Sequence, residues 1–409
     1  MLASCSGSKE EAKPGFVDIA TAVANLQQLK ASDLGKTIEY VPLETSDSCL
    51  VGAEWAIYAF DDFVIIRNSA MVSTGGTMPN SSVMTFDINS GKYLHSIGHP
   101  GEDPEAYRTP YFSTNPDGSR IYFPGNLQDA IVEYDSKGKF IGTVYPFKSL
   151  NQDIISLQTV SDSIFYGLLT VPNMIDPAVT VYLANANATQ LDSICIVAPE
   201  EREIKNPTSL VIQKYVGVIP HSGGSLIIDK KDGAPFYLVS VPYLWPLDNK
   251  VFATAQFSDT VFNITDGQRK ASMIFNLGDK KFTCPDFGRR EINDDELFLE
   301  NLVDSRSKAI LSVRRGWFEN TDEAFIGVYD KENGTTVMTE AKNGFKDDLS
   351  GFMPFYPVKV TPDGKWVGVI TMQEIETWLE KNPDAKLPDA VAEALEKDDE
   401  PNPILVIVK

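Results

Sequence analysis

One turn pattern recurs along the chain and constrains its fold more than any other feature. It occurs in "FDINSGKYL" (86–94), "YDSKGKFIG" (134–142), "YDKENGTTV" (329–337) and "TPDGKWVGV" (361–369), where an Asp is followed within four residues by a Gly. Runs rich in β-branched and aromatic residues flank each turn. The Asp side chain can cap the backbone just after it, and the Gly supplies the positive φ that a tight hairpin needs. The pattern therefore predicts short antiparallel strands joined by hairpins.

The spacing of these turns indicates how the hairpins are organised. Gly91 and Gly138 occupy matching places in the pattern and lie 47 residues apart (138 − 91). A repeat of roughly 40–50 residues with about four strands is typical of a β-propeller blade. The strand-like runs of the 409-residue chain group into six units, at about 50–98, 109–148, 155–197, 223–278, 306–341 and 355–409. The sequence predicts an all-β fold, a six-bladed β-propeller of four-stranded blades.

The two ends of the predicted propeller are expected to meet in its last blade. The chain ends in the strand "ILVIVK" (404–409), and "TIEYVPLE" (37–44) is the natural candidate to pair with it. Closure of this kind leaves only short, protected strand edges. Residues 16–409 would then form a single domain.

A helical insertion interrupts the last predicted blade, at about 372–399. "MQEIETWLEK" (372–381) places Ile375, Trp378 and Leu379 on one helical face, and Pro388 suits the first turn of a second helix. We expect the apolar face to dock the helices on the propeller rather than to line a site.

The first residues indicate where the protein is located rather than how it folds. Leu2-Ala3-Ser4-Cys5 resembles the lipobox of bacterial lipoproteins, in which the Cys is diacylated, and residues 6–15 form a polar tether of small residues. We therefore expect lipidation at Cys5, a membrane partner, a tether over residues 1–15 and a truncated signal peptide. The alternative is an ordinary disordered N-terminus with a chance Cys. Lys9-Glu10-Glu11 also resembles a signal that directs some Gram-negative lipoproteins to the outer surface.

Charge and composition exclude several classes of function. The formal net charge of −21 argues against nucleic-acid binding, because such affinity comes mainly from Lys and Arg that neutralise phosphates. The three His and four Cys show neither a CxxC motif nor metal-ligand spacing, which argues against a structural zinc site. No cofactor is expected. Ca²⁺ is the one ion that the chain could bind.

Five stretches together resemble a known group of proteins. They are "YVPLET" (40–45), "IGHPGEDPEAY" (97–107), "AIVEYDSKGKFIG" (130–142), "FSDTVFNI" (257–264) and "DDEPNPILVIVK" (398–409). In this order they resemble the six-bladed β-propeller lipoproteins of Gram-negative gut and oral bacteria, which are related to NHL-repeat propellers. The resemblance implies the propeller fold, lipid anchoring at Cys5 and a place in the cell envelope, at the outer membrane. It implies no established activity.

The loop at 98–107 is the first candidate for ligand binding. It carries one imidazole, three carboxylates and a phenol, from His99, Glu102, Asp103, Glu105 and Tyr107. Carboxylates beside an imidazole could do acid–base chemistry or hold Ca²⁺. The alternative is a crossover loop between blades whose charges are solvated.

Two aromatic stretches are the other candidates. "VPYLWPLD" (241–248) contains Tyr243 and Trp245, and "RRGWFENTDE" (314–323) contains Arg314, Arg315, Trp317 and Phe318. Flat aromatic rings beside Arg suit sugar rings or peptide side chains. The alternative for each aromatic residue is core packing or loop anchoring.

These features favour a binding protein over an enzyme. The sequence contains neither a G-x-S-x-G nor an H-E-x-x-H motif. The leading hypothesis is a lipid-anchored envelope propeller that acts as a binding or scaffold module for a glycan, a peptide or a partner protein. The alternative is a hydrolase or lyase that uses carboxylates, with or without Ca²⁺, at the mouth of the propeller channel.

Overall fold

The predicted turns close hairpins, and their side chains show why. One carboxylate oxygen of Asp87 accepts a hydrogen bond from the backbone N–H of Ser90 (2.7 Å), and Gly91 follows with a φ of +69°. The same arrangement recurs at 135–138 and at 330–334. The Asp therefore satisfies turn N–H groups that have no strand partner, and the Gly allows the chain to reverse.

The computed structural model describes most of the chain. The described residues are 13–52, 54–68, 81–127, 130–148, 154–161, 164–169, 179–186, 191–198, 210–229, 235–238, 243–283, 292–316, 323–397 and 401–409. Among them, no helix is long and apolar enough to cross a membrane.

The N-terminal segment lies along the outer edges of three blades. Its elements are β1 (Gly15–Asp18), α1 (Ile19–Ala24), β2 (Leu29–Lys30), a 3-10 turn (Ala31–Asp33) and β3 (Ile38–Pro42). Val17 and Ile19 are fully buried, so this segment is part of the domain rather than a tether.

The first three blades follow in chain order, and each is an antiparallel sheet of four strands. Blade 1 contains β4 (Trp55–Ala59), β5 (Phe63–Asn68), β6 (Ser82–Asp87) and β7 (Tyr93–Ser96). Blade 2 contains β8 (Ser113–Thr114), β9 (Arg120–Pro124), β10 (Ile131–Asp135) and β11 (Phe140–Val144). Blade 3 contains β12 (Ile154–Ser161), β13 (Ile164–Leu169), β14 (Val179–Ala184) and β15 (Leu191–Val197).

An inserted sheet separates blade 3 from blade 4 in the sequence. It has three strands, β16 (Leu210–Val216), β17 (Gly223–Asp229) and β18 (Pro235–Leu238). Blade 4 contains β19 (Leu244–Leu247), β20 (Lys250–Ala253), β21 (Thr260–Asn263) and β22 (Lys270–Asn276), and β1 adds to its outer edge in parallel with β22. The innermost strand β12 of blade 3 contacts β19 directly, so the inserted sheet is not a blade of the ring.

The last two blades complete the ring. Blade 5 contains β23 (Leu297–Asp304), β24 (Lys308–Arg315), β25 (Ala324–Asp330) and β26 (Thr335–Glu340). A 3-10 turn (Ala341–Asn343) leads to β27 (Phe345–Lys346), which pairs with β2. Blade 6 contains β28 (Lys359–Val360), β29 (Trp366–Ile370) and β30 (Ile404–Val408), with β3 as its fourth strand. The helices α2 (Met372–Lys381) and α3 (Asp389–Lys397) lie between β29 and β30.

The structure is thus the predicted six-bladed β-propeller of four-stranded antiparallel blades. The pairing of the two chain ends is confirmed, with β3 antiparallel to β30. The helical insertion is confirmed as well. Ile375 is fully buried, and Trp378 and Leu379 pack on the same core between blades 5 and 6.

Two predicted blade boundaries are wrong. The predicted unit 223–278 combines two strands of the inserted sheet with blade 4, because strands of both have the same composition. The predicted unit 306–341 omits β23, the innermost strand of blade 5. Six of the eight residues of β23 are buried, and its sequence "LFLENLVD" lacks the alternation of a half-exposed strand.

Closure of the ring should dominate the stability of this fold. Leu405 in β30 is fully buried, so Leu405→Ala should lower the free energy of unfolding by about 2–5 kcal/mol. Leu94→Ala is the matched control, since Leu94 is 47% exposed in β7 and its loss should cost less than about 0.5 kcal/mol. Urea denaturation of both variants measures the difference, and equal midpoints would contradict the closure.

Candidate functional site

The six innermost strands surround a central channel with a volume of about 930 Å³. Every blade contributes a polar or aromatic side chain from its innermost strand, and these six are Tyr58, Thr114, Gln158, Trp245, Asp304 and Lys359. The hairpin turns that follow these strands form one mouth of the channel, and they include residues 115–117, 248–249, 305–307 and 362–364. The channel is therefore the place where residues that are distant in the sequence come together.

Two cations and two tyrosines form a cluster on the side of blades 1, 2 and 6. We call Arg67, Lys359, Tyr58 and Tyr111 the cation–tyrosine cluster. The Arg67 guanidinium carbon lies 4.2 Å from the centre of the Tyr111 ring, and Lys359 Nζ lies 5.7 Å from the centre of the Tyr58 ring. Arg67 Nη1 also lies 3.5 Å from Tyr58 Oη. Both cations thus pack on aromatic faces inside the channel.

Among the described residues, no carboxylate pairs with the charges of this cluster. Within the described part of the chain, neither Arg67 nor Lys359 forms an ion pair, and the buried Arg67 Nε has no hydrogen-bond partner. The Lys359 side chain is accessible to solvent within the channel, but protein atoms surround it. Burial lowers the pKa of Lys359, and the nearby Arg67 charge lowers it further. This concentration of positive charge is unusual in a protein with a net charge of −21.

The opposite wall of the channel, from blades 4 and 5, has partners for its polar groups. Trp245 Nε1 donates to Asp304 Oδ2 (3.1 Å), and the Lys331 ammonium lies 2.6 Å from Asp304 Oδ1. Burial raises the pKa of Asp304, and Lys331 opposes that shift. Lys308 likewise pairs with Asp330 at 2.9 Å. These contacts account for the charges of this wall without a ligand.

The tip of the β16–β17 hairpin, residues 217–222, lies towards the other end of the channel. The backbone N–H of Val218 donates to Glu300 Oε1 in β23 (2.7 Å). The His221 ring lies 4.8 Å from the Trp55 ring, at the first residue of β4, and its Nε2 is 2.9 Å from Glu374 Oε2 in α2. The hairpin tip therefore connects blades 1, 5 and 6 near the start of their innermost strands.

The predicted loop at 98–107 does not line the channel. His99 Nε2 lies 2.7 Å from Asp103 Oδ2, and both side chains are about half exposed. Asp103 Oδ1 also accepts backbone N–H bonds from Glu105 and Ala106. The hydrogen bond from His99 lowers the pKa of Asp103. This pair therefore organises the loop itself.

The other three residues of that loop have different surroundings. Glu102 and Glu105 are exposed. Tyr107 is buried, and its ring stacks on Phe123 with the centroids 4.5 Å apart, in the core between blades 1 and 2. Burial raises the pKa of Tyr107 above its usual range. Its surroundings are those of a packing residue.

The other predicted residues are scattered. Trp245 lines the channel, whereas Tyr243 accepts a hydrogen bond from Gln256 (2.7 Å) outside the lining. Arg314 is buried and pairs with Glu300, with 2.6 Å between Nε and Oε2.

Arg315 pairs with Glu323 at 3.0 Å. Trp317, Phe318 and Cys5 lie outside the described residues. The described residues contain no group of three or more His, Cys, Asp or Glu that could hold a metal ion, and Ca²⁺ binding stays a prediction.

Sequence reasoning missed the whole cation–tyrosine cluster. One signal was available in the sequence. Arg67 stands near the end of the apolar strand "FVIIRN", and a charged residue is uncommon in a buried strand unless it has a partner. Nothing in the sequence joins it to Lys359, since 359 − 67 = 292 residues separate the two.

Comparison with known proteins identifies a family and a fold. A family model described as a domain of unknown function (DUF4934) matches residues 14–409. A crystal structure of a Bacteroides fragilis protein assigned as exported is 15% identical, with a TM-score of 0.61, over 97% of this chain and 99% of that chain. A member of the DUF4221 family from Bacteroides vulgatus is 10% identical, with a TM-score of 0.46, over 91% and 96%. Among curated proteins, none matches the chain.

The charged Lys359 side chain should destabilise the folded state rather than stabilise it. A lysine with a lowered folded-state pKa is disfavoured in its charged form, so its cost is present at neutral pH and is relieved as the pH rises through the folded pKa. Lys359→Met should therefore raise the melting temperature at pH 7, but by no more than about 1 °C, because the side chain is accessible to channel solvent, which screens its charge. Calorimetry at pH 7 measures the shift.

Lys308→Met is the matched control for this measurement. Lys308 forms an ion pair with Asp330 and helps to lower the Asp330 pKa to about 2, so its loss should lower the melting temperature. A fall in melting temperature for Lys359→Met as large as that for Lys308→Met would show that the cluster is stabilising.

Proposed function

Since the chain belongs to the DUF4934 family, whose function is unknown, we propose from the channel geometry that it is a binding protein of the cell envelope. It binds a glycan, a peptide or a segment of a partner protein in the propeller channel. The single observation that carries this proposal is the cation–tyrosine cluster inside a channel to which all six blades contribute.

The size and lining of the channel support binding. A volume of about 930 Å³ lies near the upper end of the range of roughly 300–1,000 Å³ for small-molecule sites. Aromatic rings and many polar side chains line it together, so it can contact both the apolar and the hydrogen-bonding parts of a ligand. The blades are held in a closed ring, so a ligand would meet side chains that are already positioned.

The envelope location rests on the N-terminal sequence. Cys5 stands in a stretch that resembles a lipobox and precedes a stretch of small and polar residues. Two acyl chains on one Cys would anchor the protein firmly, because a single chain binds membranes only marginally. The export assignment of the structurally similar Bacteroides fragilis protein is in keeping with this location.

The alternative function, a hydrolase or lyase that uses carboxylates, with or without Ca²⁺, at the mouth of the channel, has less support. The imidazole–carboxylate pair of the 98–107 loop is half exposed and lies outside the channel lining, and Asp103 is engaged in capping the loop backbone. An active site normally excludes water around its acid and base. The channel cluster fits recognition better than proton transfer.

Lipid anchoring predicts that one thiol determines the location. Cys5→Ala, expressed from the native gene, should move the protein from the membrane fraction to the soluble fraction. Ser4→Ala is the matched control and should leave it in the membrane fraction. Fractionation followed by immunoblotting measures the distribution, and a Cys5→Ala protein that stays with the membrane would contradict anchoring at Cys5.

Binding in the channel predicts that a bulky side chain there blocks capture. Thr114→Trp places a large ring in the channel lining, whereas Thr335→Trp places one on the exposed outer strand of blade 5. On arrays of glycans and peptides, the wild-type protein and Thr335→Trp should retain the same ligands, and Thr114→Trp should lose them. Equal retention by Thr114→Trp would put the binding site outside the channel.

A further inference from the structure

The cation–tyrosine cluster has the features of a site for an anion. Arg67 and Lys359 approach the same region of the channel from blades 1 and 6, and the Arg67 charge contributes to the lowered pKa of Lys359. The described carboxylates that line the channel elsewhere do not reach them; Asp304, for example, is engaged by Lys331 and Trp245. An oxyanion between the two cations would remove their repulsion and provide both with a partner.

The unpartnered Arg67 Nε adds geometric support. This N–H group is buried and lacks an acceptor among the described residues, while the guanidinium carbon lies over the Tyr111 ring. A guanidinium is planar and presents its N–H groups in that plane, which matches the two oxygens of a carboxylate. The Lys359 ammonium, held over Tyr58, can donate to the same oxygens without a fixed direction.

The rest of the lining indicates what carries the carboxylate. Gln158 lines the channel from blade 3, and its Oε1 is a buried acceptor with no partner among the described residues. Sugar hydroxyls can donate hydrogen bonds to such an acceptor. Tyr111 is 47% exposed, so part of its ring is free to pack against the C–H face of a sugar. A ring-shaped ligand with both hydroxyls and a carboxylate fits these groups together.

We propose that the channel binds an acidic saccharide, with a carboxylate between Arg67 and Lys359 and with ring hydroxyls towards Gln158. The proposal rests on the proposed function and deepens it by naming the ligand class. The channel volume admits a short oligosaccharide rather than a globular partner. Binding involves no covalent change.

The test is a calorimetric titration of the full chain with three acidic oligosaccharides: trigalacturonate, a glucuronate-containing tetrasaccharide and sialyllactose. At least one should bind saturably with one site per chain, and its neutral counterpart should bind at least about tenfold more weakly, because a hydrogen bond to a charged group is worth about that much. The affinity should also fall with added salt, since the attraction is between charges.

Variants then assign the binding to the cluster. Lys359→Met and Arg67→Met should each weaken the binding of the acidic saccharide by about tenfold or more. Neither variant should change the affinity for the neutral counterpart. Lys386→Met removes the same charge from an exposed lysine between α2 and α3 and should bind as the wild type does. Lys359→Met is expected to fold at least as well as the wild type, so its loss of binding would not reflect unfolding.

Three outcomes would overturn the proposal. They are the absence of binding by all three saccharides at millimolar concentration, unchanged affinity in Lys359→Met, and tighter binding of a triglutamate peptide than of any saccharide. Each of these leaves the broader binding function intact if Thr114→Trp still abolishes ligand capture. Capture that survives Thr114→Trp would instead remove the binding function itself, so the two failures are distinguishable.

Discussion

Five residues of β3 pair with five residues of β30, from Ile38 opposite Val408 to Pro42 opposite Ile404. Because β30 also pairs with β29, blade 6 contains strands from both ends of the chain and is complete only when the ring is closed. Closure places β28 against β4, so that blade 6 meets blade 1. The channel and the cluster that spans these two blades both depend on this pairing.

The channel walls differ in how their charges are accommodated. On the side of blades 4 and 5, the buried carboxylate of Asp304 has an ammonium and an indole N–H as partners. On the side of blades 1 and 6, no described carboxylate pairs with Arg67 or Lys359, which pack on the rings of Tyr111 and Tyr58. A fold selected for stability alone would not keep two such cations together, and local conflicts of this kind mark functional sites. The hairpin tip at 217–222 adds a fixed boundary near the far end of the channel.

Local chemistry made the fold predictable, whereas the cluster depends on long-range closure. The Asp of each turn caps backbone N–H groups a few residues away, and the Gly adopts a positive φ. The hairpins at 87–91 and 135–138 could therefore be predicted from the sequence. The inserted sheet at 210–238 has strands of the same composition as a blade, and only contacts between innermost strands show that it stands outside the ring. Arg67 and Lys359 meet because the ring closes, which no local pattern reveals.

The most direct measurement is a crystal structure of the full chain with a bound acidic oligosaccharide such as trigalacturonate. We predict density in the channel, with carboxylate oxygens at hydrogen-bond distance, about 2.7–3.2 Å, from both the Arg67 guanidinium and Lys359 Nζ. Density confined to the outer surface, or a channel-bound saccharide whose carboxylate faces the wall of blades 4 and 5, would contradict the assignment of this cluster as the binding site.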